Sequence, residues 1–191
     1  WLIVGLTESA DLSGPLGELD SALGGTVSRL IEAGDLKGKL AELLPLHDAP
    51  GVAADRILFV GLGKQDELTR ARFEKAMMSA VRKVSSKDEA SAAICLASSA
   101  VGQIGMATAA ETAATAIVVG SQGQDSLKTE PGHFALSAAS IVVADGHDAE
   151  VATAVDRGII LGESINLTRE LVNLPPQMIY PESFAKRAQT V

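Results

Sequence analysis

One cysteine, three histidines and six aromatic residues among 191 positions leave few of the side chains from which common sites are built. A lone Cys95 rules out an intrachain disulfide framework. It lies in the apolar run Ala92-Ala-Ile-Cys-Leu-Ala97, where a thiol reads as a buried, inert strand residue. A nucleophilic cysteine would need exposure and a histidine brought to it. His47, His133 and His147 lack the i, i+4 spacing that puts two ligands on one helix face, so spacing assembles no zinc or two-metal constellation. No apolar stretch approaches the ~20 residues that span a bilayer. With no disulfide framework and no charged-plus-apolar leader, a cytoplasmic location is the expectation.

The composition present is that of a globular protein, 47% hydrophobic and 21% charged. A formal charge of -8 argues against non-specific nucleic-acid binding. A domain of about 150 residues buries roughly 70% of its unfolded surface and needs no metal or disulfide to hold it.

Strand and helix patterns alternate along the chain. Trp1–Leu6, Leu40–Leu46, Arg56–Leu62, Ser91–Ala97 and Phe134–Ala144 read as strands. Leu16–Ala33 reads as helical with a weak point at Gly24-Gly25, and Ile104–Val119 as an Ala-rich helix. Thr69–Ser85 is the clearest helix: Phe73, Met77, Val81 and Val84 form its stripe, Thr69 suits the N-cap, and Leu68 can staple against Phe73. The alternation predicts an α/β fold with a mixed, largely parallel sheet and helices on both faces. Gly120–Gly132, rich in Ser, Gln, Gly and Asp, is the longest expected loop and the one where mobility is expected.

The last quarter is organised differently. From Ala149 to Asn173 no proline interrupts a helical pattern in which Val151, Val155, Ile159, Gly162 and Ile165 recur. About 25 residues at 1.5 Å each make a rod of roughly 37 Å. Gly158 and Gly162 lie four apart, where a missing side chain lets a neighbour approach closely. Pro175 and Pro176 end the rod, and Pro181-Glu182 suits the start of another helix that the chain barely begins. Residues 1–148 therefore read as an N-terminal domain and 149–191 as a linker helix with the start of a further domain. Trp1 stands where an initiator Met would, so the native N-terminus is expected upstream, and the chain reads as the front part of a longer protein.

Local motifs for catalysis fail in detail. Gly61-Leu-Gly63-Lys64 follows a strand, but Asp66 stands where a dinucleotide fingerprint wants glycine and Gln65 where a Walker loop wants Ser or Thr. A simple tight turn is the better reading, with an anion site as the rival. Gly162-Glu-Ser164-Ile-Asn166 nearly matches a nucleophile elbow but lies mid-helix. Asp145-Gly-His147-Asp148 reads as a turn and helix N-cap rather than a metal site. Between Lys64 and Lys87, seven basic residues face three acidic ones. A basic helix can track a phosphate backbone. A solvated amphipathic face is the better reading, because no aromatic accompanies the charges for base stacking.

Several segments in order carry a resemblance. Asn166-x-x-Arg169-x-Leu171-x-Asn173-x-Pro175, followed by Pro181 and Ala185-x-x-Ala188, resembles the inter-domain connection of the leucyl aminopeptidase (cytosol aminopeptidase) family. Gly34-Asp-Leu-Lys-Gly38-Lys, Arg56-Ile-Leu-Phe-Val-Gly61-Leu-Gly63-Lys64 and Leu68-Thr-Arg are similar to that family's N-terminal domain. The resemblance covers essentially the whole chain. Glu170 replaces the usual Asp, Gln177 the usual Asn, and Gly120-Ser-Gln-Gly-Gln-Asp an aromatic-rich segment.

The resemblance implies an N-terminal α/β domain, similar in fold to macro domains, joined by the long helix to a catalytic domain absent from these residues. That second domain would carry two divalent ions, manganese or zinc, which activate water for hydrolysis of N-terminal residues from peptides. The family's assembly implies a hexamer. On this reading residues 1–191 hold no catalytic, cofactor-binding or metal-ligating residue, and nucleic acid and membrane are not partners. Two rivals remain at this point. One is a macro-domain-like binder of a nucleotide or ADP-ribose, using Gly61–Lys64 and Gly120–Gly123. The other is a DNA-binding domain acting through residues 64–87.

Overall fold

The computed structural model describes residues 1–88, 90–123, 128–130, 132–143 and 148–189. A five-stranded sheet runs in the order β2-β3-β1-β4-β5, formed by β1 (Leu2–Leu6), β2 (Leu43–His47), β3 (Arg56–Gly61), β4 (Ser91–Leu96) and β5 (Ala138–Val143). β1 pairs parallel with β3 and β4, and β4 pairs parallel with β5; β2 is antiparallel to β3. The sheet is thus mixed and largely parallel. β2 can run antiparallel because a short connection returns it to β3, whereas parallel neighbours need a crossover.

Successive side chains on a strand point to opposite faces, so β1 and β3 feed two cores. Ile3, Leu58, Val60 and Ile94 join one core with α3 (Arg70–Val84), α5 (Met106–Ser121) and α6 (Asp148–Asn173). Val4, Leu6, Ile57 and Phe59 join a second core with α1 (Gly14–Ala22) and α2 (Thr26–Glu32). Two short helices, α4 (Ser98–Val101) and α7 (Pro181–Ala188), complete the α-helices of the described residues, beside one 3-10 turn at Gln65–Glu67.

The clearest helix forms as its pattern requires. Phe73, Met77, Val81 and Val84 are buried, Thr69 Oγ1 accepts from Arg72 N at 3.3 Å, and Leu68 joins Phe73 in the core. The single helix expected over Leu16–Ala33 is instead two. Gly24 and Gly25 take φ of 61° and 77°, the left-handed region open to glycine, and separate α1 from α2. Gly25 has no side chain to cap α2, and Asp20 of α1 does so instead, accepting from Val27 N at 2.7 Å, Ser28 N at 3.1 Å and the Ser28 hydroxyl.

Other boundaries move for equally local reasons. β2 begins at Leu43 rather than Leu40, because Ala41 takes a φ of 61° in a turn tied to Gly61 by Ala41 N donating to Gly61 O at 2.8 Å. β5 begins at Ala138, since Phe134 and Ser137 donate instead to the carbonyls of Ser85 and Ala90. The expected loop from Gly120 starts later, as α5 absorbs Gly120 and Ser121; residues 124–127 and 131 lie outside the described residues. So does the expected turn at Asp145–His147.

Candidate functional site

α5 and α6 run side by side in the same direction and make the most extensive helix pair of the fold. The contact is built on small residues. A Cβ on Gly158 would stand 2.3 Å from the Glu111 carbonyl oxygen, and one on Gly162 would stand 2.7 Å from Val118 Cβ. Thr115 Oγ1 reaches across to donate to the Gly158 carbonyl at 3.1 Å. The buried face is therefore Val151, Ala154, Gly158, Gly162 and Asn166, whereas Ile159, read from sequence as part of the stripe, is exposed. Hydropathy points at large side chains, but here the missing ones make the contact.

Asn166 is 6% exposed and sits where α5 ends. Its Nδ2 donates to the Val118 carbonyl at 2.9 Å, and its Oδ1 accepts from Arg169 Nη1 at 2.8 Å. Arg169 also donates to the Val119 carbonyl at 3.2 Å. These carbonyls belong to the last turn of α5, which has no intrahelical donors and carries the negative end of the helix dipole. Beyond this clamp the last turn of α6 continues past α5. Val172 there is 76% exposed, followed by exposed Met178, Tyr180 and Phe184. Pro181 and Glu182 open α7 as their order requires, Ser183 Oγ accepts from Tyr180 N, and Arg187 pairs with Glu170 of α6 at 2.6 Å.

The other sequence-derived positions do not converge. In the turn after β3 the N–H groups of Gly61, Leu62 and Gly63 donate to Glu42, Leu6 and Gly38 carbonyls, so none of the three faces a cradle for anions. Lys64 pairs with Glu67 at 3.1 Å. Gly120 is helical and packs on Val81, so it contributes no nucleotide-binding loop. Ser164 donates back to the Ile160 carbonyl within α6, as a mid-helix serine does, and has no base beside it in that bond. In the basic segment, Arg70 pairs with Glu111 at 2.7 Å and Arg72 with Glu67 at 2.9 Å, while Lys75, Arg82, Lys83 and Lys87 are exposed. Cys95 is half-buried on β4, and desolvation raises its thiol pKa above the ordinary value. His47 packs edge-on against Trp1 with ring centroids 5.8 Å apart. Among the described residues no three His, Cys, Asp or Glu side chains group to hold a metal, so this part of the chain does not fit the divalent ions that the resemblance implies.

One feature escaped sequence reasoning. After β1 the chain turns to α1 on one face of the sheet, and after the adjacent β4 it turns to α4 and α5 on the other. Such a switch point opens a crevice at the carboxyl ends of the strands. A cavity of about 600 Å³ opens there along the sheet face, lined by Leu6 at the end of β1, Thr7 and Ser9 after it, Ala97 after β4, Ser99 of α4 and Leu16 of α1. Only strand order locates it, and strand order is not written in local pattern.

Residues 3–131 match the family described as the cytosol aminopeptidase family, N-terminal domain. The chain belongs to that family. Relatives include the probable cytosol aminopeptidases of Cupriavidus taiwanensis, 36% identical over all of this chain and 40% of the relative, and of Ralstonia pickettii, 34% identical over all of this chain and 39% of the relative. The chain thus spans about two fifths of the length of the curated relatives it matches. In fold it is similar to a mutant of tomato leucine aminopeptidase, with a TM-score of 0.81 at 24% identity over 99% of this chain and 38% of that one. It is also similar to the bottromycin maturation enzyme BotP in complex with Mn, with a TM-score of 0.66 at 22% identity over 99% of this chain and 35% of that one. In this member of the cytosol aminopeptidase family, buried Asn166 and half-buried Arg169 dock the long helix against the last turn of α5.

Proposed function

We propose that this chain is the scaffold and assembly part of a metal-dependent aminopeptidase that removes N-terminal residues from peptides. Residues 1–148 form its non-catalytic domain, and residues 149–191 are the linker helix and the first residues of a catalytic domain carrying two divalent ions, manganese or zinc. The parent is a cytoplasmic homo-hexamer, and duplex nucleic acid and membrane are not its partners.

The observation that carries this reading is the family match combined with length: relatives named probable cytosol aminopeptidases are aligned over all of this chain but only 40% of their own length. The name of the relatives supports the cytosolic location, and the Mn in complex with BotP supports the choice of ion. The clamp of Asn166 and Arg169 supports the linker's part, because it fixes the direction in which α6 leaves the domain.

The test is to read the gene beyond Val191 and to assay the product with leucine p-nitroanilide and manganese. A continuation with clustered Asp, Glu and Lys, hydrolysis by the longer product and none by residues 1–191 are the expected results. A stop codon after Val191 or an inert longer product overturns the peptidase reading. Hydrolysis by residues 1–191 alone overturns the scaffold assignment.

A further inference from the structure

We propose that the switch-point crevice is a binding site for an apolar primary amine, a small molecule with a hydrocarbon body and one positive charge. The site lies outside the helix junction assigned above and is independent of the peptidase reading.

Size comes first. At about 600 Å³ the cavity falls within the range that takes small organic ligands, roughly 300–1,000 Å³. Its walls are mostly hydrocarbon, from Leu2, Val4, Leu16, Leu19, Val52 and Val142. A hydrocarbon body displaces water from these walls, which is the non-directional part of the affinity.

Charge then selects the head group. Among the described residues the charged side chains that line the cavity are Asp11 and Glu18, and no Lys, Arg or His lines it. Both carboxylates are exposed at the rim, and neither forms an ion pair among the described residues; Asp11 accepts from the Ser13 hydroxyl. The hydroxyls of Thr7 and Ser9 and the amide of Gln65 supply neutral partners for an ammonium group's remaining donors. Among the described residues an anionic ligand meets two negative charges and no cationic side chain. The start of α1 does not reverse that balance: Pro15 removes one of its first-turn N–H groups, and the roughly half positive charge at that helix end is smaller than the two full negative ones. A nucleoside diphosphate, which the fold alone could suggest, is therefore disfavoured by the lining, whereas an ammonium is favoured.

Three nearly isosteric probes separate body from charge: phenethylamine, phenethyl alcohol and phenylacetate. They are titrated into the 191-residue chain with its Leu and Val methyl groups labelled, and read by two-dimensional NMR at Leu16, Val52 and Val142. The expected order of affinity is amine, then alcohol, then carboxylate, with shifts concentrated at these methyls. Asp11→Asn combined with Glu18→Gln should weaken the amine roughly two- to fivefold, the scale of exposed charge pairs, and leave the alcohol unchanged. Val142→Trp, at an exposed position on the rim, should abolish the amine's shifts while the rest of the spectrum stays dispersed. Absence of shifts at millimolar ligand, or shifts confined to other methyls, removes the site. Equal affinity for amine and alcohol, or an amine affinity that survives the double variant, removes the charge selection. Tighter binding of ADP-ribose than of the amine at the same methyls replaces the proposed class with a diphosphate.

Discussion

Asn166 and Arg169 act as one clamp: the asparagine carbonyl accepts from the guanidinium at 2.8 Å while both side chains donate to the final carbonyls of α5. Asn166→Ala leaves the half-buried Val118 carbonyl without this donor and Arg169 without its partner. Such a loss costs about 1–3 kcal/mol. Asn166→Asp should be no better, since a carboxylate cannot donate to Val118 and adds negative charge at the negative end of α5. Urea midpoints measure both, and midpoints equal to the parent's would show that the clamp does not hold the rod.

The glycine seam between α5 and α6 makes a steeper demand. Gly158→Leu must place carbon where the Glu111 carbonyl stands 2.3 Å away, so the helices have to separate. Overpacking of this kind costs about 1–3 kcal/mol, occasionally more. The exposed neighbour Glu163→Ala should shift stability by no more than ~0.5 kcal/mol. A Gly158 variant as stable as the Glu163 one would mean that the seam is loose.

Asp20 links stability to pH. The Ser28 hydroxyl first, and then the Ser28 and Val27 amides, favour its charged form against the opposing desolvation and hold its pKa below 3.8. A depressed folded pKa means that the unfolded state takes up protons first, so the contribution is full above the unfolded pKa and is lost as pH falls through the folded one. Acid titration of unfolding should therefore show the parent's advantage over Asp20→Ala constant near neutral pH and shrinking below about pH 4. An advantage that persists unchanged into strong acid would detach the cap from ionisation.

Cys95 should alkylate slowly. Its thiol is half-buried and its pKa is raised by desolvation, so at pH 8 a smaller thiolate fraction meets iodoacetamide than in a free cysteine. Denaturation in urea should speed the reaction markedly. A native rate equal to the denatured one would place the thiol in solvent.

Arg70 and Arg72 already face Glu111 and Glu67, which weakens the basic stripe available to a phosphate backbone. Duplex DNA should not be retarded by the chain at low salt. Retardation that falls steeply as salt rises would restore the DNA-binding reading of residues 64–87.

How much could be read in advance depended on how local the cause was. α3 was legible to within a residue of each end, because its stripe, its Thr69 cap and the Leu68 staple are all local signals. The break at Gly24-Gly25 was visible as a weakness, but not as a second helix capped from Asp20, which needs α1 folded back on α2. The α6 rod was legible from the absence of proline, yet its buried face was misplaced at Ile159. Apolar periodicity favours large residues, and the partner helix instead selected Gly158, Gly162 and Asn166.

The inter-domain motif shows the same division. Asn166, Arg169, Pro175 and Pro181, together with the upstream segments, carry the resemblance to the family before any fold is known, and the prolines dictate where the helices stop and start. That Asn166 and Arg169 cap another helix could not be inferred, because the carbonyls they satisfy lie about fifty residues away in sequence.

By itself the sequence determined the alternation of strands and helices, the continuous rod and its proline stop, because backbone sterics and hydrophobic period act over a few residues; the family came from the resemblance of its ordered motifs. Only the tertiary structure decided that β1 and β4 are neighbours with helices leaving on opposite faces, that a crevice opens between them, and that α5 is the neighbour which packs on Gly158 and Gly162 of α6. Each of these depends on which distant segments meet, and that is set by the packing of the whole sheet rather than by any stretch of chain.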